Sequence, residues 1–422
     1  MKKIFTIILT VAMMASISLN ALAETGLSNF TSSNTYIAGQ FRDVSAEDWF
    51  APYVESAYNR GFVQGKGGGV FDPGGLLTLG EAVTLAARLR SIYYSGSADF
   101  PVSEPFYAAY ADYALENGML DSHGDYGSPA TRAMFAQLIY NALPADVFSG
   151  INEIPDYGIC DVGYGADFYD AVYTLYRAGI LAGSDHYGTF FPSSTITRAE
   201  TCAVVARLAD PNTRQKASLP ANMPAEIIYQ RSAGAVFTLE TFDSSGTYIR
   251  SGSGFFISDT GLAVTALHVF DSAASATVLL NDGREYSVRG ICALSLNHNL
   301  AIFSIGSDFG GWSYLSLADS GLAETGSTVY SLGSPQELMS SIAEGIISNV
   351  RRELDGVVFL QFSASISFGS GGGPLLNALG QVVGISSSSM SQGQQLNLAI
   401  PVNSLRELEV GDCVPLDALW SE

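Results

Sequence analysis

The segment Ile366-Ser367-Phe368-Gly369-Ser370-Gly371-Gly372-Gly373-Pro374-Leu375 leads into the apolar run Val382-Val383-Gly384-Ile385. Glycines at 369, 371, 372 and 373 let the backbone turn through conformations closed to other residues and bring its N–H groups close to a ligand. Outward from this turn the texture is short β runs broken by turn residues. Examples are Ala235-Val236-Phe237-Thr238-Leu239, Gly252-Ser253-Gly254-Phe255-Phe256-Ile257 and Leu262-Ala263-Val264-Thr265. Thr277-Val278-Leu279-Leu280 follows, closed by the turn Asn281-Asp282-Gly283. Short strands at such spacing over about 190 residues predict an all-β sandwich or paired barrels.

Three strings in this half bear on chemistry: Val264-Thr265-Ala266-Leu267-His268-Val269, then Asn297-His298-Asn299-Leu300-Ala301-Ile302, then the glycine-rich turn. With Val329-Tyr330-Ser331-Leu332-Gly333-Ser334-Pro335 and Gly345-Ile346-Ile347-Ser348 between them, residues 232–405 resemble the trypsin-like serine peptidases, most nearly the bacterial HtrA-like branch. The resemblance implies a double β-barrel with a histidine, an acid and a serine in that chain order. His268 stands where the general base belongs. The acid that begins the family's Asp-Leu-Ala string is Asn299 here, and the family's nucleophile aligns with Gly371.

Both departures matter chemically. An amide at the acid position cannot stabilise imidazolium and holds the wrong tautomer, which costs about 10⁴ in a trypsin. Glycine has no hydroxyl to activate, so no acyl-enzyme forms through it. The N–H groups of Gly369 and Gly371 remain as an oxyanion hole. The resemblance thus implies a catalytically inactive domain that binds peptide or protein. An alternative is an active endopeptidase using Ser370 with His268, which requires a shifted alignment around Ser370. Asp271 and Asp308 are the acids nearest to hand as substitutes for Asn299. His298 reads as a strand-start surface residue, and His123 and His186 lie in repeat loops. No metal site and no cofactor are expected.

The N-terminal half repeats itself, which bears on any fold assignment. One copy runs Phe41-Arg42-Asp43-Val44, Trp49-Phe50, Gly61-Phe62-Val63, Phe71-Asp72-Pro73 and Thr78-Leu79-Gly80-Glu81-Ala82. Another runs Ile159-Cys160-Asp161-Val162, Phe168-Tyr169, Gly179-Ile180-Leu181, Phe190-Phe191-Pro192 and Thr197-Arg198-Ala199-Glu200. A weaker middle copy has Phe106-Tyr107, Gly118-Met119-Leu120 and Thr131-Arg132-Ala133-Met134. Each reads as helix, glycine stop, extended loop, threonine cap, helix. Such helices bury one stripe each, so the copies must stack on one another. The pattern resembles the S-layer homology (SLH) family over residues 41–210, with its terminal Thr-Arg-Ala-Glu intact at 197–200. The resemblance implies anchoring to the Gram-positive envelope through secondary cell-wall polysaccharide. The binding role maps onto Thr131, Arg132, Thr197 and Arg198, each arginine offering a carboxylate a bidentate fork at a helix N-terminus. In the first copy the equivalent position is Leu79.

Composition limits the remaining classes. In 422 residues, 47% are apolar and 11% aromatic, which excludes disorder as the dominant state. The net charge of −21 argues against binding to nucleic acid or to an anionic membrane. Met1-Lys2-Lys3 and the apolar run from Ile4 to Leu22 read as a signal peptide cleaved after Ala23, which leaves a net charge of −23. Four cysteines, Cys160, Cys202, Cys292 and Cys413, are too few for a disulfide scaffold and leave the pairing open.

The expected layout is a signal peptide at 1–23, a spacer at 24–40, SLH repeats at 41–95, 101–145 and 157–210, and a linker at 211–226. A peptidase-fold domain at 227–410 and a tail at 411–422 complete it. The fold class is an α-helical SLH repeat trimer plus an all-β, chymotrypsin-like double barrel. The expected protein is secreted to the cell wall or S-layer surface, has no membrane span in its mature form, and binds wall polysaccharide and a peptide or protein.

Overall fold

The computed structural model describes residues 25–163, 165–217, 219–220, 222–306, 310–333, 341–367, 369–387 and 397–419. The expected signal peptide, Asp308, Phe368 and the end of the tail lie outside them. Among the described residues, no helix is long and apolar enough to cross a membrane.

Six helices form the N-terminal region as three pairs: α1 (Ala51–Asn59) and α2 (Leu79–Ser95), α3 (Ala108–Glu116) and α4 (Arg132–Ala142), α5 (Tyr169–Arg177) and α6 (Arg198–Ala209). The weak middle repeat therefore folds like its neighbours. The glycines after α1, α3 and α5 have φ of 69°, 65° and 70° at Gly61, Gly118 and Gly179, the left-handed stop that glycine accepts without steric cost. Thr78, Thr131 and Thr197 cap α2, α4 and α6 with their side-chain oxygens.

Backbone hydrogen bonds close the three repeats into a ring. Leu77 N–H donates to Ile196 O at 3.0 Å, Ile196 N–H to Ala130 O at 3.1 Å, and Ala130 N–H to Leu77 O at 2.8 Å. A helix leaves its first N–H groups without internal partners. Here the neighbouring repeat supplies them: Leu79 and Gly80 donate to Ser128 and Tyr126, Arg132 and Ala133 to Ser194 and Pro192, Arg198 and Ala199 to Gly75 and Pro73. Each long helix thus starts only where another repeat is present, and one apolar core containing Phe71, Phe135, Tyr176 and Phe190 runs through all three.

The C-terminal region is two closed six-stranded barrels. The first contains β1 (Val236–Phe242), β2 (Tyr248–Phe256), β3 (Leu262–Ala266), β4 (Ser275–Leu280), β5 (Glu285–Ser295) and β6 (Leu300–Ile305), in the order β1-β2-β3-β6-β5-β4. The second contains β7 (Thr328–Gly333), β8 (Ser341–Leu354), β9 (Val357–Phe362), β10 (Pro374–Asn377), β11 (Val382–Ser387) and β12 (Asn397–Pro401), in the order β10-β11-β12-β9-β8-β7. Closure removes the unpaired edges that open sheets expose. This is the double barrel expected from the sequence. Cys292 and Cys413 form a disulfide that ties β5 to the C-terminal segment, whereas Cys160 and Cys202 are free and buried.

The region between helices and barrels is not merely an extended linker. Met223 is buried, and α7 (Ala225–Ser232) brings Arg231 to Asp185 of the third repeat at 2.6 Å. The fully buried Gln381, just before β11, donates to the carbonyls of Tyr157 and Ile159, both at 3.1 Å. Ser316 Oγ donates to Cys160 O at 2.7 Å. The third repeat and the second barrel thus share a polar, buried seam. Gln381→Met keeps the volume but strands two carbonyls, so we expect a loss of about 2 kcal/mol in urea denaturation. An unchanged midpoint would contradict the seam's contribution.

Candidate functional site

Three elements bring the peptidase-like site together. β3 ends at Ala266, and a single turn of 3-10 helix, Leu267–Phe270, carries His268. Asn299 sits in the turn entering β6 with φ 52°, a left-handed conformation that Asn tolerates. The glycine-rich turn precedes β10, with φ of 89° at Gly369 and 86° at Gly372. The turn fits tightly against β2 and β3. Ser253 N–H donates to Gly371 O at 2.9 Å and Ser253 Oγ to Gly369 O at 2.7 Å. A Cβ at Gly372 would lie 2.7 Å from Ala266 N and 2.4 Å from Ser253 O, so glycine is required there on both counts.

Asn299 grips His268 twice. Its Oδ1 accepts from the His268 backbone N–H at 2.8 Å, and its Nδ2 lies 2.8 Å from the ring Nδ1. A backbone N–H can only donate, so the amide oxygen must face it and the NH₂ must face the ring. The ring Nδ1 therefore accepts, and in neutral imidazole the proton resides on Nε2. Burial holds the His268 pKa below its ordinary value, outweighing the opposing influence of Asp271. Asp271 lies 3.6 Å from Arg250, whose NH1 also donates to the His268 carbonyl at 2.7 Å. Asp271 therefore influences the ring electrostatically without replacing Asn299 at Nδ1.

Ser370 is 7% exposed, and its Oγ accepts from Ser367 N–H at 3.3 Å. It lines a cavity of about 210 Å³ together with Ser331, Gly333, Ser341, Ala343 and Ser367. Gly371 occupies the next position along the turn. The N–H groups of Ser370, Gly372 and Gly373 donate to Ser367, Ser386 and Ser370 carbonyls. Among the described residues, those of Gly369 and Gly371 donate to none.

In the repeats, the arginines named from the sequence lie between neighbouring copies. Arg132 NH1 pairs with Glu200 at 2.6 Å, its Nε donates to Phe190 O at 2.7 Å, and its guanidinium lies 5.4 Å from the Phe190 ring centre. Arg198 uses Nε on Phe71 O at 3.0 Å and NH2 on Gln64 O at 2.7 Å, with its guanidinium over the Phe71 ring. Thr131 and Thr197 are occupied as caps, accepting from Met134 and Glu200 N–H. At the Leu79 position the side chain packs over Gly124, where a Cβ would come within 3.1 Å of it.

Arg132 lines a groove of about 480 Å³ with Trp49, Tyr53, Glu200, Arg207 and Gln215. Trp49 is 58% exposed. The sequence marked Trp49 as a repeat feature, but Tyr53 of the first copy, Arg207 of the third and Gln215 just after it carried no signal of their own. His298 bonds through Nδ1 to Ser295, and His123 to the Tyr126 hydroxyl. Among the described residues, no cluster of His, Cys, Asp or Glu could hold a metal ion.

Comparison with known proteins agrees with both halves. Residues 252–385 match the trypsin-like peptidase domain, and residues 40–83 and 161–202 match the S-layer homology domain. A putative serine protease HhoA of Synechocystis is 32% identical over 167 residues, covering 37% of this chain and 42% of that one. A probable periplasmic serine endoprotease DegP-like of Halomonas elongata is 36% identical over 158 residues, covering 36% and 33%. The crystal structure of the serine endoprotease from Yersinia pestis is 26% identical, covers 45% of this chain and 66% of that one, and superposes with a TM-score of 0.39. The chain spans less than half the length of these two curated relatives. This protein carries S-layer homology domains, which associate it with the cell surface, followed by a trypsin-like, HtrA-type peptidase domain.

Proposed function

We propose that this protein is anchored to the cell wall through secondary cell-wall polysaccharide and displays a peptidase fold that binds peptide or protein without cutting it. One observation carries the second half: Asn299 faces His268 Nδ1 with an NH₂ group. General-base catalysis needs Nε2 free to take a proton from the nucleophile, and this pairing puts a proton there. Gly371 removes the nucleophile as well. The reading that uses Ser370 is disfavoured, because Ser370 is buried and its hydroxyl oxygen accepts from the Ser367 N–H.

The wall-binding half is supported by the groove at Arg132. A guanidinium beside an exposed indole suits a sugar that bears a carboxylate, the ring stacking on Trp49 and the acid pairing with arginine. Such a ligand has to compete with Glu200 for Arg132, or share it. Arg198, with carbonyl partners instead of a carboxylate, lines a second groove of about 180 Å³ with Gln64, Glu81 and Phe106.

Gly371→Ser alone should hydrolyse casein or peptide esters roughly 10³-fold or more slowly than Gly371→Ser/Asn299→Asp, because only the double variant corrects the tautomer. Equal rates would contradict the inactivity argument. For the anchor, Trp49→Ala and the pair Arg132→Ala/Arg198→Ala should each reduce co-sedimentation with purified wall sacculi. Circular dichroism of each variant separates lost binding from lost fold. Full retention by folded variants would sink the polysaccharide reading.

A further inference from the structure

Asp161 accepts the N–H groups of Phe190 and Phe191 at 2.9 and 2.6 Å, as Asp43 accepts those of Phe71 and Asp72 at 2.8 and 2.7 Å in the first repeat. The second residue of each clamped pair lies in the left-handed region, with φ 62° at Asp72 and 57° at Phe191. Aspartate tolerates that conformation, whereas a bulky ring there is a backbone outlier. Burial does not offset the strain, because Phe191 is 43% exposed. Strain kept at an exposed aromatic points to a use outside the core.

Phe191 stands on the wall of a cavity of about 500 Å³ where the third repeat, α7 and the barrels meet. That volume falls within the range of small-ligand sites, roughly 300–1,000 Å³. Trp312 and Tyr314 line it from the segment before β7, and Ser193, Ser194, Ser313 and Asp259 supply hydroxyls and a carboxylate. The walls are fixed in advance. The Phe190 carbonyl takes Arg132 Nε, and the carbonyls of Ser194 and Pro192 take the first N–H groups of α4. Opposite them, the Asp259 carbonyl accepts from Gly311 and Trp312 N–H at 2.9 and 3.2 Å. The rings of Phe256 and Tyr286 brace Trp312, with centres 5.1 and 4.7 Å away. Ser193 Oγ donates across the seam to Asp259 at 3.4 Å.

Charge narrows the ligand. Arg231 is the one cation among the lining residues, and it is already engaged, with NH2 on Asp185 at 2.6 Å and NH1 on Thr189 Oγ1 at 2.8 Å. Asp259 remains, so an anion is disfavoured. Hydroxyls both donate and accept, a carboxylate can accept from two neighbouring hydroxyls, and aromatic rings cover apolar C–H faces. A sugar ring presents that combination: a C–H face and a rim of hydroxyls. We propose that this cavity binds a neutral saccharide, with Phe191, Trp312 and Tyr314 against its ring face and Ser193, Ser313 and Asp259 on its hydroxyls. The site is separate from the groove at Arg132 and does not depend on the reading of that groove.

An array of immobilised neutral, amino and acidic saccharides, probed with the full-length protein, tests it. We expect at least one neutral saccharide to be bound. Titration calorimetry with that sugar should show affinity kept in Trp49→Ala and reduced roughly tenfold or more in Phe191→Asn. Asparagine accepts the left-handed backbone, so Phe191→Asn should melt at or above the temperature of the unmodified protein. Absence of neutral ligands, or equal affinity in Phe191→Asn, would overturn the proposal. Loss of neutral binding in folded Trp49→Ala would assign the sugar to the repeat groove and overturn it as well. A lower melting temperature in Phe191→Asn would make the ring a packing element and contradict the strain argument. Binding confined to acidic saccharides would refute this site while leaving the wall-polysaccharide reading standing.

Discussion

The backbone N–H of His268 can only donate, and it lies 2.8 Å from Asn299 Oδ1. That one constraint turns the rest of the amide, so its NH₂ faces the imidazole and fixes the ring proton at Nε2. With aspartate at 299, the same backbone bond would leave a second acceptor facing Nδ1 and would demand the opposite tautomer. Residue 299 takes a left-handed conformation, His268 rides on a short helical turn, and the glycines at 369 and 372 have positive φ.

The anchor obeys a comparable logic. Each long repeat helix has its first N–H groups satisfied by the next repeat, so the ring is cooperative and its grooves exist only when it closes. Arginine at the helix start then binds across the seam, to Phe190 and Glu200 in one case and to Phe71 and Gln64 in another. The same side chains therefore bind the repeats together and face the grooves. Gln381, Arg231 and Ser316 extend the packing into the barrels, which places the peptidase fold on the anchor without a free tether.

Much of this was legible in the sequence because it depends on local pattern. Threonine caps, left-handed glycines and period-two strand runs are written within a few residues of where they act. Gly371 and Asn299 could likewise be read directly as departures from the family's pattern. The choice of Cys292 and Cys413 as the disulfide pair could not, since it depends on two segments 121 residues apart meeting at one end of β5. Nor could the Arg132–Glu200 pair, because the capping-box reading of Glu200 gave no reason to expect a second partner from another repeat. The seam at Gln381 was hidden for the same reason: its partners, the carbonyls of Tyr157 and Ile159, lie 224 and 222 residues away along the chain.

The account turns on where His268 carries its proton, and nitrogen-15 NMR of selectively labelled histidine reads that directly. The account predicts an Nδ1 resonance typical of an unprotonated nitrogen and an Nε2 resonance typical of a protonated one at pH 7.5, with Asn299→Asp exchanging the two. A protonated Nδ1 in the unmodified protein would contradict it.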